Sequence, residues 1–270
     1  MRLFRPLITI AGLICLWAVI TTAFSLPKFI LPTPLVVGKA LVTHAALIAE
    51  NALTTGIEIL SGLFLGVLFG MISALLISAF RPVKQWVFPL LIASQAIPVF
   101  AIAPLLVLWF GYGMAPKIVM SLLIIYFPVT VGFLDGLNRT DPAWMNLATL
   151  LQQSGPKGRF LRLVRLYRYI KIPFALPSLA SGIRVAAAIA PIGAVVGEWV
   201  GASSGLGYLM LHANARVQTD LMFASLLTLT AMALALYFLI DHGLRLALPW
   251  LAGRTDFSFP QHHSSQSTET

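Results

Sequence analysis

Six apolar runs, each near the length of a membrane-crossing helix, alternate with short polar links along this chain. They fall at about 7–24, 57–80, 86–110, 118–135, 174–197 and 221–241. A helix needs about 20 apolar residues to cross the hydrocarbon core of a bilayer, so the pattern predicts six transmembrane helices. Two runs carry a finer repeat. Gly62, Gly66, Gly70, Ala74 and Ser78 recur every fourth position in the second, and Gly182, Ala186, Ala190 and Ala194 do so in the fifth. Small residues on one helix face let backbones approach closely in lipid, where burial from water gives no driving force. The runs therefore predict a compact bundle. Pro191 predicts a kink in the fifth run.

Between the first two runs, "LPKFILPTPLVVGKAL" predicts an extended stretch followed by a short helix outside the membrane. The chain divides accordingly into an N-terminal helix with its external linker (1–50), a core (51–245) that includes a long loop at 136–172, and a polar tail (246–270). The tail ends "QHHSSQSTET" and has the composition of a disordered segment.

Composition agrees with the pattern. The 270 residues are 59% hydrophobic and only 10% charged, and the mean hydropathy is +0.90. Such a chain cannot cover itself with polar groups. The net charge of +9 raises a nucleic-acid reading, but the charges sit in short links and form no solvated domain. Loop charge sets orientation instead. With the N-terminus inside, the inner segments hold thirteen Lys and Arg against four (Lys28, Lys39, Lys117, Arg216) outside. Both termini are therefore expected in the cytoplasm. Arg2 and Arg5 precede an apolar stretch too long for a signal-peptide core, with no A-x-A site after it, so the first run is read as a retained helix. Cys15, the single cysteine, is expected as a buried thiol.

Three stretches invite chemistry. The first is "GPKGRFLRLVRLYRYIKIP", with Lys157, Arg159, Arg162, Arg165, Arg168 and Lys171 and no acid among them. A voltage sensor would need acidic partners in neighbouring spans. The triplet run would also be too short to span as helix. A cytoplasmic loop that fixes topology and docks a partner fits better; its helical stretches are expected to break at Gly155-Pro156 and stop at Pro173. In the second, "SQAIPVFAIAPLLVLWFGYG", Ser94, Gln95, Pro98 and Pro104 interrupt a span, as in a kinked packing helix or the lining of a path. The third, "GEWVGASSGLGYLMLHANAR", contains a formal G-x-S-x-G with His212 downstream. A seryl nucleophile would need a preceding strand and an acid between Ser and His, and neither is there. A glycine-rich gate or re-entrant loop is the better reading, with Glu198 at the membrane edge.

These residues also carry a resemblance. "LPTPLVVGKAL", "IPVFAIAPLLVLWFGYG", "IPFALPSLASGIRVA" and "GEWVGASSGLGYLML" resemble the permease subunits of bacterial ATP-binding-cassette importers of the binding-protein-dependent kind. The branch is that of nitrate, sulfonates, taurine and thiamine pyrimidine precursors, and the stretch from Ala190 looks most like the pyrimidine-precursor permeases. The resemblance implies an all-α polytopic membrane protein with six transmembrane helices, the type I importer permease fold, as a homodimer in the bacterial inner membrane. It implies two copies of a cytosolic ATPase and a periplasmic or lipid-anchored solute-binding protein. It implies no enzyme activity or cofactor in this chain, with ATP and Mg on the ATPase; the chain itself has no G-x-x-x-x-G-K-[ST]. The family's coupling signature falls on Gly155 and Pro173, with Thr149, Leu150 and Leu151 in place of its E-A-A and a longer interval between. Lys157, Arg159 and Arg162 are expected to couple with them. Ser94, Gln95, Pro98 and Glu198 are expected along the path, and Gly201, Ser203, Ser204 and Gly205 in a gate loop. An ion-coupled secondary transporter would call for inverted repeats and intramembrane carboxylates, which the pattern does not display.

Overall fold

The computed structural model describes residues 4–141, 143–144 and 158–249, and its regular structure is entirely helical. The elements are α1 (Phe4–Ala23), α2 (Pro34–Thr43), α3 (Ala45–Ala79), α4 (Arg81–Ser94), α5 (Val99–Phe110), α6 (Met114–Asn138), α7 (Arg159–Leu166), a π-helical turn (Tyr167–Lys171), α8 (Ile172–Gly201), α9 (Leu206–Ala215) and α10 (Thr219–Ala247). Each of the six apolar runs lies on helix. The helices at 45–79, 114–138, 161–201 and 219–247 are long and apolar enough to cross a membrane, and the α4–α5 pair supplies a fifth crossing if taken as one.

The short helix α2 begins with Pro34 in its first turn, after an extended Thr33. A proline there loses no hydrogen bond, because the first amides of a helix have no partner within it. His44 separates α2 from α3, and α3 then runs unbroken across position 50.

α6 is the centre of the bundle, with α3 on one side and α8 on the other. The stripe on α3 meets α6 directly. A Cβ on Gly66 would stand 2.5 Å from Ile125 Cγ2, and one on Gly70 2.9 Å from Val129 Cγ1. On the other side α8 runs antiparallel to α6, with Gly182 under Pro128 and Gly193 under Ser121; a Cβ at Gly193 would stand 2.6 Å from Ser121 Cα. Ile125, Val129 and Phe133 of α6 are fully buried between the two neighbours.

Three expectations change. The run at 86–110 is not one straight span: α4 and α5 bend by 102° at residues 95–98. Pro98 adopts an extended backbone as the cap of α5, and a proline disfavours helix in the residue before it. Pro173 does not stop a helix. The chain is helical from Arg159 to Gly201 because the wide turn precedes the proline, and there the Ile172 N–H donates to the Tyr167 carbonyl five residues back. The broader ring relieves the clash between a proline and the carbonyl four residues before it. Cys15 is exposed, because α1 touches the rest through one narrow edge, where Trp17 stacks on Phe223 at 6.0 Å.

Gly193→Val tests the close contact with α6. Overpacking there is expected to cost about 1–3 kcal/mol, read as a lowered unfolding midpoint of the detergent-solubilised protein. The same change at Gly243, which has open space around it, is expected to leave the midpoint within error apart from helix propensity.

Candidate functional site

Where α8 ends, three helices and a loop meet in a buried polar knot. Asn51, Thr55 and Glu58 occupy one face of α3, at spacings of four and three. Lys117 comes from the first turn of α6 and Glu198 from the last turn of α8. Thr55 and Glu58 are fully buried, and Lys117 and Glu198 nearly so. Lys117 Nζ donates to Glu58 Oε1 at 2.7 Å and to the Ser204 carbonyl at 3.3 Å. The Thr55 hydroxyl donates to Glu198 Oε1 at 2.6 Å and accepts from the Leu206 N–H at 2.8 Å. Asn51 Oδ1 accepts from the Gly205 N–H at 2.8 Å.

Glu198 completes α9. Its Oε2 accepts from the N–H groups of Gly207 and Tyr208, two of the first-turn amides that a helix cannot satisfy internally. A carboxylate at a helix N-terminus also meets the positive end of the helix dipole. The cap is thus supplied by a different helix, because residue 205 is a glycine with no side chain to offer. Gly205 has φ +120°, and a Cβ on it would overlap the Glu198 carboxyl carbon. Only glycine lets the backbone come this close.

Ser203 is exposed and Ser204 half-buried; with Gly201, Ala202 and Lys117 they line a cleft of about 360 Å³ that Tyr112, Gly113 and Met114 close from the other side. The formal G-x-S-x-G is therefore a turn shaped by a buried carboxylate. His212 lies in the second turn of α9, its ring tilted by 54° against that of Tyr208 with centroids 4.1 Å apart.

A larger cavity, about 600 Å³, opens at the α4–α5 bend. Ser94 and Gln95 line it, with Tyr126, Phe127 and otherwise aliphatic side chains of α5, α6 and α8. Ser94 donates to the Leu91 carbonyl at 2.7 Å, and Gln95 Nε2 reaches Ser94 Oγ at 3.3 Å. Pro98 is exposed beside the cavity as the cap of α5.

The expected site residues thus divide by position. Ser94 and Gln95 stand together at the cavity. Glu198 turns inward to the loop rather than toward that cavity, and joins Gly205. Arg159 opens α7, Arg162 is exposed on it, and Pro173 is exposed in the first turn of α8. Gly155 and Lys157 lie outside the described residues, as does most of the tail.

Two groups were missed. Lys117 reads as a loop cation because it adjoins the link before the fourth run, yet it is 3% exposed and paired with Glu58. The signal was the face of Asn51, Thr55 and Glu58, which marks a polar side of an otherwise apolar helix. Arg184 of α8 donates to Asp241 Oδ1 of α10 at 2.6 Å, and Arg245 to Asp241 Oδ2 at 2.8 Å. Carboxylates therefore do stand within the long helices, tied to cations or to backbone amides.

Comparison with known proteins converges on one kind of protein. The family described as binding-protein-dependent transport system inner membrane component matches residues 66–252. A probable ABC transporter permease protein of Haemophilus influenzae is 55% identical over 89% of this chain and 95% of its own length. A formylaminopyrimidine transport permease protein of Halalkalibacterium halodurans is 32% identical over 91% of this chain and 95% of its own. A riboflavin transport system permease protein of Chloroflexus aurantiacus is 35% identical, covering 91% and 89%.

Lys117→Met strands the Glu58 carboxylate in the interior. Breaking a buried pair on one side costs about 3–5 kcal/mol, so the unfolding midpoint is expected to fall sharply. The double change Lys117→Met, Glu58→Gln is expected to recover part of that loss. A double variant as unstable as the single one contradicts the pairing.

Proposed function

The chain belongs to the family of binding-protein-dependent transport system inner membrane components, and on that premise we propose that it forms the translocation path for a small, flat, heteroaromatic solute, a pyrimidine precursor of thiamine before any other. It is a transport subunit of an importer, set in the inner membrane, that works with a solute-binding protein and leaves nucleotide hydrolysis to a separate ATPase.

The observation that carries the solute reading is the cavity at the α4–α5 bend. Its walls are apolar and aromatic, with Ser94 and Gln95 as the polar groups at the break. A planar heterocycle needs that combination: faces that stack on Tyr126 and Phe127, and an edge that hydrogen-bonds to an amide. Freed polar groups at membrane depth are tolerated where they border a cavity. Two relatives named for formylaminopyrimidine and riboflavin transport support the same chemical class.

In this reading two copies of the chain face each other across the path, with both termini in the cytoplasm. The loop from Gly201 to Gly205 is the outer gate, held shut by Glu198 and Lys117. The segment from Gly155 to Pro173, with Lys157, Arg159 and Arg162, seats each of two ATPase copies on the inner side. The unbroken helix from Arg159 to Gly201 then joins the ATPase contact to the gate. Motion at one end of this continuous helix is passed toward the other, with the π-helical turn, Pro177 and Pro191 as the points where it can flex.

Uptake of labelled aminopyrimidine into cells producing this chain with its ATPase and binding protein tests the reading. Accumulation is expected to depend on all three. Gln95→Ala is expected to lower the rate about two- to tenfold, the worth of one hydrogen bond, with the protein still present in the membrane. Accumulation of taurine or another sulfonate in place of the pyrimidine would overturn the solute assignment, and unchanged uptake in Gln95→Ala would remove that residue from the path.

A further inference from the structure

The corner where α3 passes into α4 gathers basic side chains that form no ion pair with an acid among the described residues. Ser78, in the last turn of α3, accepts a hydrogen bond at 2.9 Å from the Tyr167 hydroxyl of the π-helical turn, which fixes that turn against the corner. Lys171 Nζ lies 5.0 Å from the centre of the Tyr167 ring. Val83, beside Lys84 in the first turn of α4, and Ile172, beside Lys171, pack against the same buried cluster as Tyr167, and the charge of Lys84 works against that of Lys171. Arg81 opens α4, and Arg168 extends over the Tyr169 ring at 6.0 Å.

Three cations of the long helices have acidic partners. Lys117 meets Glu58, while Arg184 and Arg245 both meet Asp241. These are the ion pairs among the described residues, and none involves the four basic groups at this corner. Arg81, Lys84 and Arg168 are exposed and Lys171 is half-buried, so the corner offers positive charge that an anion from outside the chain can answer.

The surroundings say which anion. The corner closes two long apolar helices, so it lies where hydrocarbon gives way to headgroups. Trp86, 76% exposed, and Phe80 and Tyr169, both exposed, flank it. Exposed aromatics beside lysine and arginine at the ends of spans mark the membrane interface. The outward side of this corner is therefore lipid, and the anion that lipid presents there is a phosphate.

We infer that Arg81, Lys84, Arg168 and Lys171 form a binding site for the headgroup phosphate of an anionic phospholipid. The four cations surround the phosphate. The rings of Trp86 and Tyr169 stand at the level of its glycerol, and its acyl chains run along α4. The bound lipid removes the repulsion between Lys84 and Lys171, and so holds the π-helical turn against α3. Arg168 and Lys171 lie in the C-terminal part of the Gly155–Pro173 segment proposed to seat the ATPase, and are distinct from Lys157, Arg159 and Arg162, the basic residues assigned to that contact. The orientation proposed above places it in the inner leaflet, but binding itself depends on neither orientation nor transport.

The full-length chain, purified in detergent, is incubated with equimolar phosphatidylglycerol and phosphatidylcholine and washed, and the retained lipid is counted by mass spectrometry. Preferential retention of phosphatidylglycerol is expected, together with a higher unfolding midpoint in its presence. Near the membrane surface each cation contributes about fivefold to the binding of anionic lipid. The Lys84→Gln, Lys171→Gln variant is thus expected to bind phosphatidylglycerol about thirtyfold more weakly, and Lys84→Arg, Lys171→Arg to keep it. Arg162→Gln is the control and is expected to retain lipid as the parent does. Equal retention of both lipids by the parent, or undiminished retention by the double glutamine variant, overturns the site. Full displacement by millimolar inorganic phosphate would show a free-anion site instead. Loss of ATPase co-purification in the glutamine variant without loss of lipid would show a protein contact, and either result also overturns the assignment. If the glutamine variant does not fold, the parent's lipid preference and the phosphate competition still decide.

Discussion

The rest of this structure depends on how closely α6 is clamped between α3 and α8. Glycines face α6 from both neighbours, and the resulting slot has no room for water or lipid. Dispersion across such a contact is the main attraction available to helices in a bilayer. The clamp also sets the terms for everything polar inside it. A charge at the end of the slot must be answered within the protein, since solvent cannot reach it. The arrangement of Glu58, Lys117, Glu198 and the amides of α9 follows from that constraint: Lys117 neutralises one carboxylate, and a hydroxyl with two backbone N–H groups satisfies the other.

That knot gives the glycine-rich loop a definite shape. The loop contributes carbonyls and amides rather than side chains, so its position is dictated by α3, α6 and α8. A segment held this way moves only when those helices move. In the reading proposed above, where the ATPase seats at the opposite end of the bundle, that is a useful property. The helix through the π-helical turn runs continuously between the two ends and is the mechanical line in that reading, and the α4–α5 bend provides the cavity beside it. π-helical turns are often placed at functional sites; here the turn also allows a proline to sit inside a helix that must not break.

Much of the fold was legible because apolar runs and small-residue stripes report directly on lipid and on close packing. The stripe from Gly62 to Ser78 predicted a tight helix contact, and its glycines meet α6. The short helix after Pro34 was readable from its prolines. What escaped was set by tertiary relations that no local pattern carries. Lys117 looked like a loop residue, since a cation next to a link is ordinarily solvated; its burial depends on Glu58, fifty-nine positions away. Glu198 looked like a pore residue, because nothing nearby in sequence announces that it caps the helix just beyond the loop it precedes. The bend at residues 95–98 was signalled by Pro98, but a proline alone does not distinguish a kink from a reversal of direction. Pro173 misled in the opposite sense, since the compensating wide turn has no residue signature of its own. Among the candidate residues, Ser94 and Gln95 were singled out because polar groups in mid-span need a reason, and they stand together at the cavity of the α4–α5 bend.

The central claim is that the loop before α9 is locked by the buried carboxylate and not free. Hydrogen–deuterium exchange over residues 203–209 of the detergent-solubilised protein tests it most directly. The amides of Gly205, Leu206 and Gly207 are predicted to exchange as slowly as the core of α8, because each donates to a buried acceptor. Exchange at the rate of an open, solvated loop would contradict the account.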